Sequence, residues 1–118
     1  MKYMLLIHQG DTPVPGTPEW EGLSQDEQQQ VYADYQAVNQ TPSVTPGEWL
    51  ESPVAATTVR VENGETLVTD GPFVAVKEAL GGYLFYEAEN LDAAIELASR
   101  IPAARLGGAI EIRPLKEF

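Results

Sequence analysis

Residues 81–102 read GGYLFYEAENLDAAIELASRIP, and this stretch decides the fold. Its first half is apolar on both faces of an extended chain, with Tyr83 and Phe85 pointing one way and Leu84 and Tyr86 the other. Its second half changes period. Asn90 has the side chain of a helix cap, and Leu91, Ala94, Ile95, Ala98 and Ile101 recur on one face until Pro102 ends the run. A strand covered on both sides therefore runs straight into an amphipathic helix.

Working outward, the same two-faced pattern recurs at the start. KYMLLIH (2–8) places Tyr3, Leu5 and Ile7 on one side and Met4, Leu6 and His8 on the other, which predicts a central strand buried on both sides. AIEIRP (109–114) alternates and predicts a closing strand. Residues 9–23 contain Pro13, Pro15 and Pro18 with Gly10, Gly16 and Gly22, the composition of a long loop, and loops of that length in a small domain are often mobile or functional. Ser24 and Glu27 have capping-box spacing and open a helix that ends near Asn39, with Val31, Tyr35 and Val38 in one stripe and Tyr32 beside it. Pro42 and Pro46 block its continuation. GEWLES (47–52) reads as a short strand. ATTVRV (56–61) and ETLVT (65–69) read as a hairpin about Asn63-Gly64, since both turn positions accept positive φ.

The order is strand, helix, two or three strands, helix, strand. That is the ferredoxin-like split βαβ pattern: an α+β fold with an antiparallel sheet and two helices on one face, in a single domain over 1–118. Two helices cover one face only. The apolar second face calls for another cover, and a second copy of the sheet is the simplest one, which predicts a homodimer in the form of a dimeric α+β barrel.

Composition excludes several functions. Eighteen acids against seven bases give a formal charge of −11, which repels a phosphate backbone and an anionic membrane surface, so neither nucleic acid nor membrane is an expected partner. The apolar run at Tyr3–Ile7 is too short for a signal peptide or a membrane span. The absence of cysteine excludes disulfides, thiolate nucleophiles and zinc–cysteine sites, and it suits a cytoplasmic setting. One histidine is too few for an ordinary transition-metal site, and no P-loop, dinucleotide fingerprint or serine elbow occurs, so no cofactor or metal is expected.

Several motifs together carry a resemblance. TDGPF (69–73), KEALGGY (77–83), LDAAIE (91–96), PAARLGG (102–108) and the closing EIRP (111–114) resemble the DGPF-type branch of the YCII-related family. MKYMLLI and the helix after LSQDEQ resemble it too, so nearly the whole chain is covered. The resemblance implies a dimeric α+β barrel. It also implies a small bacterial protein, of a kind often found beside extracytoplasmic-function sigma factors, in a superfamily that includes small-molecule isomerases, lyases and monooxygenases. TPSVTPGEWLES (41–52) departs from the branch through its extra proline.

The candidate site residues gather around VTDGPFVAVKEALGGY (68–83). Asp70 is either an Asx-turn residue at a sharp corner or a carboxylate turned into a pocket between the sheet and the first helix. His8 is either a hydrogen-bonded histidine at the edge of the core or a general base, and Asp70 and His8 are the acid–base candidates. Lys77 and Glu78 are a solvated ion pair or the rim of the pocket. Arg60 and Arg113 stand out because bases are scarce; they bridge to acids or hold an anionic group bidentately, as Arg105 also can. Tyr83 is core filler or a ligand wall. Gly81-Gly82 allows either a bulge or close approach of a ligand, and Trp20 and Trp49 suit a lid or a partner surface. Two functions follow. One is a small-molecule-binding barrel or enzyme with a polar pocket near the DGPF loop. The other is a non-catalytic accessory protein, acting with a sigma-factor system, whose acidic surface meets a basic partner.

Overall fold

The structure is a computed structural model and describes residues 1–75 and 79–117. Its main sheet has four strands: β1 (Lys2–His8), β2 (Val44–Trp49), β5 (Leu80–Glu87) and β6 (Ala109–Pro114), in the spatial order β2-β5-β1-β6. Every neighbouring pair in it is antiparallel. Sequential neighbours are thus split by a strand from the other half of the chain, which is the ferredoxin-like arrangement expected from the element order. Among the described residues a second sheet pairs β3 (Thr57–Glu62) with β4 (Glu65–Asp70), a hairpin inserted between β2 and β5.

Three α-helices join these strands among the described residues. The short α1 (Pro18–Glu21) lies within the stretch read from sequence as loop; Thr17 Oγ1 accepts from the Trp20 amide at 3.3 Å and makes the start possible. Then α2 (Gln25–Asn39) opens on the expected capping box, with Glu27 N donating to Ser24 Oγ and Ser24 N donating to the Glu27 carboxylate, both at 3.1 Å. The Ser24 backbone amide first, and the Ser24 hydroxyl after it, hold the Glu27 carboxyl below its usual pKa. Finally α3 (Leu91–Ser99) is capped by Asn90, whose Oδ1 accepts from Ala93 N at 2.9 Å.

The core sits between one face of the sheet and the helices. Tyr3, Leu5 and Ile7 of β1 stand beside Leu84 of β5 and meet Val31, Tyr35 and Val38 of α2 and Ala94, Leu97 and Ala98 of α3. Leu5, Leu97 and Ile101 have no exposed surface. The buried face of α3 is turned from the one expected: Leu97 is inside, while Leu91 and Ile95 are about half exposed. β2 begins three residues before the predicted GEWLES strand, because Ser43 takes a positive φ of 70° and feeds Val44 into register with Tyr86.

Among the described residues, the two-faced strands are covered on one face only. Met4, Leu6, Tyr83 and Phe85, paired across β1 and β5, lie on the face away from the helices and are partly exposed. The hairpin turns where expected, with Asn63 at φ 50° and Gly64 at φ 78°. It packs as a separate ribbon rather than as the next strands of the main sheet.

Candidate functional site

A hollow of about 710 Å³ opens at the end of the sheet where β1 finishes and β5 begins. One wall is the loop from Gln9 to Glu19, the other is the segment Trp49–Pro53, and Ala79–Gly81 close the back.

Backbone packing builds the first wall. Gly10, at φ 56°, turns the chain out of β1 so that Asp11 N donates to Gly107 O at 3.2 Å and Thr12 N to Gln9 O at 2.8 Å. Gly108 lies against the His8 and Gln9 carbonyls, where a side chain would collide with backbone. PAARLGG is therefore a seat for the loop, a role the sequence reading did not give it. The other end is pinned by Trp20, which is buried, stacks edge-on to Tyr32 with centroids 5.4 Å apart, and accepts at its carbonyl from Gln28 Nε2 at 2.9 Å.

The facing wall follows from the break in β2. The register shifts between Pro46 and Trp49, and Leu50 N donates to Gly81 O at 2.9 Å. Gly81 leaves room that the Gln9 side chain fills, which explains the first glycine of the pair. Tyr35 sits beneath. Its ring meets Trp49 edge-on at 5.1 Å, and its hydroxyl shares a hydrogen bond with the Gln9 side chain. Burial pushes the phenol up to about 12, against smaller opposing effects of the Gln9 hydrogen bond and the Arg105 charge. Arg105 itself is held by Asp34 at 2.6 Å.

The ionisable groups among the described lining residues are Asp11, Glu19 and Glu51, with Gln9, Thr12 and Ser52 as neutral polar partners. Thr12 Oγ1 is buried and has no hydrogen-bond partner among the described residues. Trp49, Leu50 and Leu80 supply apolar surface. This lining offers carboxylates for accepting hydrogen bonds or moving protons, and a flat ring for packing a ligand. Among the described residues no group of three or more His, Asp or Glu is placed to hold a metal ion. A smaller hollow of about 390 Å³ adjoins it, shares Leu50–Pro53 with it, and is bordered by Pro72 and Phe73.

The candidates named from sequence lie elsewhere. Asp70 ends β4, exposed, opposite Thr57, and lines neither hollow. It stays outside because the hairpin stands apart from the sheet, so the turn after it does not fold back over the core. His8 is on the open face of the sheet, 3.0 Å from the Glu111 carboxylate. The structure thus brings His8 to Glu111 and not to Asp70. Arg113 joins the same cluster at 3.8 Å from Glu111. Arg60 is on the hairpin, 2.8 Å from Glu62 and 6.0 Å from the Phe73 ring centroid. Tyr83 is on the open face beside Phe85. Lys77 and Glu78 fall outside the described residues. Of the DGPF loop, Pro72, Phe73 and the residues from Ala79 onward reach the hollows. The lining residues the sequence reading missed had one signal, the proline- and glycine-rich loop after β1, whose length already marked it.

Comparison with known proteins gives three findings. The family model described as YCII-related domain matches residues 1–118. An uncharacterized protein of Rhizobium meliloti (strain 1021) is 32% identical over 120 residues, covering 98% of this chain and 92% of the relative. Among solved structures, the 5-chloro-2-hydroxyhydroquinone dehydrochlorinase of Burkholderia phenoliruptrix AC1100, in complex with 2,5-dihydroxybenzoquinone, is 17% identical with a TM-score of 0.48, covering 100% of this chain and 96% of that one. That likeness is too slight to bear on chemistry. No helix among the described residues is long and apolar enough to cross a membrane.

Proposed function

The chain belongs to the YCII-related domain family, and from that premise we propose that it binds a small organic molecule in the hollow between the Gln9–Glu19 loop and the Trp49–Pro53 segment. One observation carries the reading: about 710 Å³ of space walled by polar side chains and the Trp49 ring, the size and mixed lining of a small-molecule site. The site is anchored on rigid parts, since Tyr35 ties Gln9 and Trp49 to the buried face of α2. If the protein is an enzyme, Asp11, Glu19 and Glu51 are the groups placed to exchange protons with a bound molecule. The acid–base role first assigned to Asp70 and His8 then requires that a second copy bring them to a site. A homodimer in a cytoplasmic setting completes the reading, supported by the partly exposed Met4, Leu6, Tyr83 and Phe85 on the sheet's open face.

The accessory-protein reading draws on the charge of −11 and on the exposed Phe73. Of the two tryptophans that reading can place at a partner surface, Trp20 is buried and Trp49 is half exposed. The test is a thermal-shift screen of small organic acids, amines, phenols and quinones on the full chain. A compound that raises the melting temperature of the parent but not of a Ser52→Trp variant, which fills the hollow, supports the reading. Hits that stabilise both proteins equally, or no hits at all, count against it.

A further inference from the structure

We infer that the β3–β4 hairpin is an assembly arm that seats its valine face on a second copy of this chain. The hairpin register pairs Val59 with Val68 and Val61 with Thr66, so the three valines share one face. The opposite face carries Thr58, Arg60 and Glu62 from β3 and Glu65, Leu67 and Thr69 from β4. Such alternation is that of a ribbon with one covered and one wet side. Yet Val59, Val61 and Val68 are 59%, 66% and 63% exposed, and every hairpin residue but Thr58 is exposed. A two-stranded ribbon alone in water is marginal.

The shape of the chain agrees. Its radius of gyration is 16.1 Å and its extents are 49 × 43 × 18 Å, whereas a compact chain of this length has a radius near ~13.5 Å. The chain is a flat slab with a projecting arm.

Area and charge choose the occupant. At strand spacing and rise, two strands of six residues present a flat face of roughly 200 Å², against the ~800 Å² per partner of a stable interface. The arm alone is too small. The open face of the four-stranded sheet adds roughly 400 Å² by the same reckoning, and side-chain relief raises the accessible area of both. A two-fold dimer uses both surfaces of both copies in one association. Two chains at −11 each repel, so their contact must use surface with few uncompensated acids. The valine face also carries Thr57, Thr66 and a single acid, Asp70 at the base of the arm, and on the open face beside Met4, Leu6, Tyr83 and Phe85 Glu111 is paired with His8 and Arg113, so few uncompensated acids meet in such a contact.

The test is sedimentation velocity of the full chain at micromolar concentrations, beside hydrogen exchange of the arm amides. The parent sediments as a dimer, and its β3 and β4 amides exchange more slowly as the dimer forms. Val59→Lys with Val68→Lys weakens the dimer by at least about 100-fold, as expected for charge placed in a desolvated contact. Thr69→Lys with Leu67→Lys adds the same charge to the wet face and changes it by no more than about 3-fold. Val59→Thr with Val68→Thr keeps β-branching should the lysine pair unfold the hairpin, and it also weakens the dimer. The fluorescence of buried Trp20 checks that each variant keeps its core. A monomeric parent overturns the inference and leaves the arm to a different protein. A dimer that Leu6→Glu disrupts but neither valine pair does, or arm exchange that ignores dimer formation, also overturns it.

Discussion

Tyr35→Phe probes the strut beneath the hollow. The phenol is 9% exposed and its pKa is pushed up to about 12 from 10.0, mainly by burial. A raised pKa means that the folded state holds the proton more tightly than the unfolded one. The stabilisation is fully present below pH 10 and is lost as the pH rises from 10 towards 12. Two pH units correspond to roughly 2–3 kcal/mol at the alkaline end. The variant has no proton to lose there. At neutral pH it instead lacks the hydrogen bond to Gln9, at a cost of about 1 kcal/mol. The parent is therefore the more stable protein at pH 7, the two stability curves cross between about pH 10 and 11, and the variant is the more stable beyond. Urea unfolding followed by tryptophan fluorescence at a series of pH values measures both curves, and other titrating groups cancel in the difference. A constant gap between the two proteins from pH 8 to about pH 11.5 would refute the reasoning, because the hydroxyl would then ionise as freely in the folded chain as in the unfolded one.

Three further outcomes follow from the packing. Leu97→Ala removes a side chain with no exposed surface and lowers stability by about 2–5 kcal/mol in denaturant titration. Gly108→Ala forces a methyl group against the His8 and Gln9 carbonyls, lowering stability by about 1–3 kcal/mol and freeing the Asp11 amide to exchange, while the hairpin amides stay unaffected. The lowered pKa of Glu27 makes its contribution to the start of α2 complete above its ordinary pKa of 4.5, and that contribution fades as pH falls through the lowered value in the folded chain. Protection of the Ser24 amide should follow that pH dependence in the parent and be flat across the same range in Glu27→Gln, which keeps a carbonyl acceptor without a titrating proton.

The elements were legible in the sequence because each obeys a local rule. Ser24 and Glu27 satisfy free amides within one turn, Asn90 does the same for α3, and Asn63-Gly64 supply the positive φ that a two-residue turn demands. The alternation of β1 and β5 fixed which residues share a face, and with the element order it fixed the antiparallel ferredoxin-like sheet. What no local rule encodes is which surfaces meet over a distance. The same period that makes Val59 and Val68 cross-strand neighbours is compatible with a hairpin in the main sheet or outside it, and only tertiary packing sets it apart. That choice carries Asp70 away from the core and moves the candidate site from the Asp-Gly corner to the far end of the same loop. Sequence likewise offers no reason for Gly107 and Gly108 to serve Gln9 and Asp11, about a hundred residues earlier, since close backbone approach leaves no mark on composition or spacing. Capping, turn geometry and periodicity act between neighbours in the chain and can be read from it. The described residues that line the hollow come from three separated segments, so it exists only where the folded backbone brings them together.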